Sequence, residues 1–164
     1  MKLNLHEDYL RSTMFGLQDG LVSTTGVVVG ISTGVSDKSI IILASLVAVT
    51  VEASSMAAGQ YSSEKAVHQM DKEGKHTDSL AIGAVVMFLS YLTAGMVPIV
   101  PMIIFELPNS RILSIALAFL GLFTLGYLKG RLVKHQPLRS ALELFIIGGA
   151  ATAVGLIVGH ILKV

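Results

Sequence analysis

Five long apolar stretches, separated by short groups of charged residues, make up most of this chain. Residues 13–35 contain one charge, Asp19, and residues 39–63 contain one, Glu52. Residues 79–105 contain none, although Pro98 and Pro101 are expected to kink or end that helix. The fourth stretch is uncharged over residues 112–128, between Arg111 and Lys129. The fifth, residues 138–162, carries Arg139 and Glu143 near its start and His160 near its end. A helix needs about 20 residues to cross a hydrocarbon layer of roughly 30 Å. Four stretches reach that length, and the fourth reaches it as 111–129, with its flanking basic side chains snorkelling to the interface. The pattern therefore predicts an all-α fold. It is a single transmembrane domain over residues 1–164, a bundle of five helices at about 13–35, 39–63, 79–105, 111–129 and 138–162. Boundary residues agree: Asp37 can cap the second helix, Asn109 or Ser110 the fourth, and Pro137 suits the first turn of the fifth.

Composition points the same way. Of 164 residues, 52% are hydrophobic and 14% charged, and the mean hydropathy is +0.72. A soluble domain carries roughly a quarter charged residues, so a bilayer is the better solvent. Net charge +1 argues against a nucleic-acid partner. The absence of cysteine excludes disulfides, thiolate zinc sites and thiolate-based transport of soft metals. Residues 1–12 are mostly polar and no small-residue cleavage site follows, so the first apolar stretch is expected to stay as a span.

Five spans put the termini on opposite sides. With the N-terminus cytoplasmic, the inside carries Lys2, Arg11, Lys65, Lys72, Lys75, Lys129, Arg131, Lys134 and Arg139, and the outside only Lys38, Arg111 and Lys163. Nine against three follows the positive-inside rule. A four-span alternative with the first stretch re-entrant gives seven against five. The expected location is an integral, multi-pass position, in the cell membrane if the host is prokaryotic.

Candidate chemistry sits inside the spans. Glu52 falls near the middle of the second, and Asp19 about two turns into the first. An acidic side chain at that depth costs a few kcal/mol or more, and no Lys or Arg lies deep in any span to offset it. A bound proton, a bound cation or water in a cavity remains. The structural alternatives are an N-cap role for Asp19 and, for Glu52, a protonated carboxyl bonded across helices. Ser45, Glu52, Ser55, Met56, Gly59, Gln60 and Ser63 recur at steps of three, four or seven, so they share a helical face. Glu52, Met56 and Gln60 offer a carboxylate, a thioether and an amide oxygen in line, with Ser23, Ser45, Ser55, Gly59 and Ser63 as lining; simple packing is the alternative for Met56. On the first helix, Asp19, Ser23, Gly26 and Gly30 share a face. Carboxylate and carbonyl oxygens suit Mg²⁺, Ca²⁺ and Mn²⁺, whereas a thioether favours softer ions. The mixture fits weakly held Fe²⁺ or Mn²⁺. His6, His68, His76, His135 and His160 are scattered near span ends and form no compact cluster. Glycines spaced by four (Gly16 and Gly20; Gly26, Gly30 and Gly34; Gly126 and Gly130; Gly155 and Gly159) allow close helix contacts, and a thin five-helix bundle suits a homodimer with a shared path.

Residues 15–24, Phe-Gly-Leu-Gln-Asp-Gly-Leu-Val-Ser-Thr, and 54–63, Ser-Ser-Met-Ala-Ala-Gly-Gln-Tyr-Ser-Ser, resemble two signatures of the vacuolar iron transporter family, Asp-Gly-Leu-Val and Ser-Met-Ala-Ala-Gly-Glu-Tyr. The resemblance implies a homodimeric metal/proton antiporter whose path runs between protomers and is lined by the first two helices, with Asp19 and Met56 as path residues. Two departures stand out. Gln60 replaces the family's glutamate, while Glu52 lies one turn before the methionine. Only about 15 residues, 64–78, join the second and third spans, where many family members carry a Glu-rich cytoplasmic domain; this is a short form. Glu64, His68 and Asp71 would share a face if the second helix continued, a weak metal candidate beside the reading as a solvated connector.

The expected function is transport of Fe²⁺ and/or Mn²⁺ in exchange for protons, removing metal from the cytoplasm, with no permanently bound cofactor. A separate iron-storage or metal-delivery protein is a possible partner beside the bilayer and the second copy. The alternatives are a metal-binding sensor or scaffold subunit without flux, and a transporter of Zn²⁺, Co²⁺ or Ni²⁺. No nucleophile–base pair, phosphate loop or nucleotide motif supports an enzyme.

Overall fold

The computed structural model describes residues 7–71, 79–134 and 136–163. Lys2, Lys72 and Lys75, which enter the charge count for orientation, lie outside them, as do His6, His76 and His135. The described residues form five helices: α1 (Glu7–Gly34), α2 (Lys38–Met70), α3 (Leu80–Ile104), α4 (Asn109–Leu132) and α5 (Pro137–Ile161). Each is long and apolar enough to cross a bilayer, and no strand occurs among the described residues. Residues of α1 thus form one continuous helix.

Local signals explain most of the boundaries. Asp37 caps α2, its carboxylate accepting from Ser39 N at 2.8 Å and Ile40 N at 3.2 Å. Ser79 caps α3, and Pro137 opens α5. One expectation needs correction. Neither Asn109 nor Ser110 caps α4: Pro108 holds that position without a side-chain bond, and Asn109 is already helical. Of the two outcomes expected for Pro98 and Pro101, a kink or an end, the structure excludes the end. Both are buried inside α3, and the helix runs on to Ile104, where Phe105 N donates back to Pro101 O at 2.9 Å.

The first helix is the centre of the bundle. It touches all four others, most extensively α3 and α5, and it buries ten residues against five on α2 and five on α5. Glycine allows this. A Cβ on Gly16 would sit 2.9 Å from Ser90 Cβ, and one on Gly20 would strike the Tyr91 carbonyl, so α1 and α3 meet backbone to backbone. Further along, Cβ atoms on Gly30 and Gly34 would each stand 3.0 Å from the carbonyls of Gly155 and Gly159 on α5. These spaced glycines therefore work within the chain, packing α1 on two neighbours.

One apolar cluster joins α1, α2 and α3 around Val28, Ile41, Val49, Ile99 and Met102. A second joins α1, α3, α4 and α5 around Leu21, Ala94, Leu122 and Leu144. Large apolar side chains such as Leu43, Ile112, Leu120, Ile146 and Ile157 face outward, as lipid contact requires. Polar clasps close both ends. At one, Arg111 Nε donates to Ser32 Oγ at 3.0 Å and Lys38 Nζ to Glu106 at 2.7 Å. At the other, Arg11 of α1 pairs with Glu64 of α2.

Candidate functional site

Three helices bring polar atoms together inside the bundle. On α2, Ile41, Ser45, Val49 and Ala53 recur at four-residue steps as the buried stripe. Glu52 lies at the edge of that stripe, half-buried. The Ser23 hydroxyl on α1, the Tyr91 hydroxyl on α3 and Glu52 Oε2 lie within hydrogen-bond distance of one another, Ser23 at 3.2 Å from the carboxylate oxygen. With one hydrogen on each hydroxyl, Tyr91 donates to Oε2, and Ser23 donates to that oxygen or to the Tyr91 oxygen. The Gly20 contact accounts for Tyr91: with its backbone pressed onto α1, the 1% exposed ring reaches between α1 and α2.

Asp19, one turn before Ser23 on α1, is half-buried. Among the described residues no basic side chain pairs with either carboxylate. No three Asp, Glu or His side chains converge among the described residues. Asp19 and Glu52 are therefore the two acidic candidates at this level of the bundle. The pairs Ser23–Glu52 and Arg11–Glu64 fix the antiparallel register of α1 and α2, which brings Asp19 level with Met56. The Met56 side chain is partly buried against the α1–α2–α3 apolar cluster.

The remaining candidates divide. Gln60 is drawn to the helix end, its Nε2 donating to Glu64 Oε1 at 3.2 Å. Glu64 is only 3% exposed, and the same oxygen pairs with the Arg11 guanidinium, which also reaches Asp8 at 3.5 Å. His68 is half-buried, and Asp71 ends α2 with its N–H bonded to Val67 O at 3.0 Å. Glu64 is turned inward onto Arg11 of α1, and no group of three acidic or histidine side chains that could hold a metal occurs among the described residues. Ser45 is fully buried, and its hydroxyl, like that of Thr24, has no hydrogen-bond partner. Ser55, Gly59 and Ser63 are exposed on the surface of the chain, and none of the described residues lies within 4 Å of where a Gly59 Cβ would be.

Two hollows flank the cluster. A groove of about 620 Å³ runs between α1 and α5 from Ser23 past Gly30 and Gly155 to Leu162. A cavity of about 380 Å³ lies beside Arg11, Phe15, Gln60, Glu64 and Met87.

Sequence reasoning missed Tyr91 and the pairing role of Arg11. The available signal for Tyr91 was position: with Ser90 and Thr93 it interrupts the apolar run of the third stretch. Nothing in the spacing pointed Arg11 at Glu64.

The VIT family model matches residues 10–82 and 67–160, which take in most of every helix. Vacuolar iron transporter homolog 2 of Arabidopsis thaliana is 26% identical over 157 residues, covering 89% of this chain and 80% of that protein. Vacuolar iron transporter 1 of Oryza sativa subsp. japonica is 37% identical over 71 residues, 43% of this chain and 28% of that protein. Vacuolar iron transporter 1 of Arabidopsis thaliana is 30% identical over 76 residues, 46% of this chain and 30% of that protein. The matched part thus spans less than a third of the last two relatives.

Proposed function

The chain belongs to the VIT family, an integral multi-pass membrane protein by its five helices, and we propose that it transports Fe²⁺ and/or Mn²⁺ out of the cytoplasm in exchange for protons. One observation carries this reading: Asp19 and Glu52 are half-buried on two different spanning helices that meet at Ser23, and neither has a basic partner among the described residues. Each charge is costly at that depth. A divalent cation relieves both at once, and protons do so when the metal has left. Binding of one excludes the other, and alternating occupancy of that kind is an exchange. Met56, level with Asp19, adds a thioether that favours Fe²⁺ over harder ions, while the carboxylates suit Mn²⁺.

In this reading the working unit is a homodimer with its N-termini cytoplasmic. The exposed Ser55, Gly59 and Ser63, small residues at steps of four on α2, support a second copy packed there, which would turn them into path lining. Glu52→Gln in proteoliposomes tests the coupling. Metal-driven proton movement is expected to disappear, and its persistence would contradict the role of Glu52. A sensor or scaffold without flux is favoured by a different observation, the bonds from Ser23 and Tyr91 that let Glu52 act as a structural link. Saturable binding with no flux by the wild type would select that reading.

A further inference from the structure

The fold treats the two oxygens of Glu52 differently. Oε2 accepts from Tyr91, and Ser23 Oγ lies 3.2 Å from the same oxygen, so this is the oxygen the protein engages. Among the described residues, Oε1 accepts from nothing. Tyr91 enforces the asymmetry. Its ring is buried, and its backbone is held against Gly20, while Gly16 meets the same turn of α3. The hydroxyl therefore cannot withdraw from Oε2 unless α1 and α3 separate.

We propose that Tyr91 is a positioning residue that occupies Glu52 Oε2 and so holds this carboxylate to single-oxygen binding of a divalent cation. The cation as ligand comes from the metal-transport reading above. Two consequences follow from coordination chemistry. A carboxylate that chelates through both oxygens grips an ion harder, so the occupied oxygen favours release. Ca²⁺ takes six to eight oxygens, often through bidentate carboxylates, so the occupied oxygen also disfavours Ca²⁺ against the smaller transition ions.

The test is Mn²⁺ binding to purified protein, read by electron paramagnetic resonance, for wild type, Tyr91→Phe, Glu52→Gln and the double variant, each with Ca²⁺ as competitor. Tyr91→Phe is expected to bind Mn²⁺ more tightly by roughly tenfold, the low end of what one hydrogen bond to a charged group carries. Ca²⁺ should compete better in that variant, and in the Glu52→Gln background the tyrosine substitution should change nothing. In proteoliposomes, Tyr91→Phe should lower both KM and the maximal rate for Mn²⁺. A residue that only packs would reduce the yield of folded protein and leave Mn²⁺ affinity and Ca²⁺ competition of the folded fraction unaltered; that result, or weaker Mn²⁺ binding, overturns the proposal. Should Tyr91→Phe not fold, Ser23→Ala opens the same oxygen and must shift affinity in the same direction by less, with no shift again overturning it. Mn²⁺ bound but not transported by the wild type would remove the transport reading and, with the Tyr91→Phe shift present, leave the tyrosine's role standing.

Discussion

Two glutamates of α2 make contact with α1, and the protein handles them in opposite ways. Glu64 is almost fully buried and meets the Arg11 guanidinium and the Gln60 amide. Glu52, three turns earlier and about 18 Å away along the helix, is half-buried and meets only hydroxyls, with a second carboxylate, Asp19, nearby. Glu64 carries its own counter-charge, so its environment is complete without an ion. The hydroxyls of Ser23 and Tyr91 orient Glu52 but bring no positive charge. A carboxylate paired with arginine fastens two helices; a carboxylate held only by hydroxyls can still bind and release a cation. The contrast separates a clasp from a site more clearly than acidity or depth does.

The sharpest way to break that difference is to give Glu52 what Glu64 has. Ser23→Lys places a tethered cation beside Glu52, and metal uptake in proteoliposomes is expected to fall to background while the protein stays folded. Retained uptake would mean that Glu52 does not need an open coordination position. Gly20→Ala comes next. Its methyl would strike the Tyr91 carbonyl, displacing the hydroxyl from Glu52 and destabilising the bundle by about 1–3 kcal/mol, measurable as a lower thermal midpoint with reduced transport. Arg11→Ala should act on stability alone. It leaves Glu64 buried without its charge partner, at about 1–3 kcal/mol, and KM for Mn²⁺ should stay at the wild-type value; Arg11→Gln with Glu64→Gln should recover most of the loss. The smallest effect is expected at Thr24, next to Ser23 in sequence, whose buried hydroxyl has no partner. Thr24→Val should raise the thermal midpoint slightly, by about 1 kcal/mol or less in stability.

The five helices were legible because charge is expensive in lipid, so the ends of apolar runs mark them directly. The caps at Asp37 and Pro137 were legible too, since each is a local chemical preference. Pro108 in place of Asn109 was not, because several adjacent residues could begin α4 and tertiary packing chose among them. Within the site, Asp19 and Glu52 stood out by charge, and their nearness needed only two adjacent antiparallel helices. Periodicity along α2 placed Gln60 and Ser63 on one face with Glu52, and it did not show that Gln60 bonds to Glu64 or that Ser63 faces outward. A helical wheel assigns residues to a common face, but it does not say which neighbour each turn of a long helix meets. Tyr91 illustrates the same gap from the other side. It reaches Glu52 only because Gly20 lets α3 approach α1, a relation between residues far apart in the chain.

The most direct measurement is metal uptake into proteoliposomes, with Fe²⁺ and Mn²⁺ entry and internal pH followed together, for wild type and Asp19→Ala. Saturable flux with protons moving the opposite way, abolished by the substitution, is the expected result. Metal bound by well-folded wild-type protein with no flux, or flux that Asp19→Ala leaves intact, would contradict a metal/proton exchanger working through the paired carboxylates.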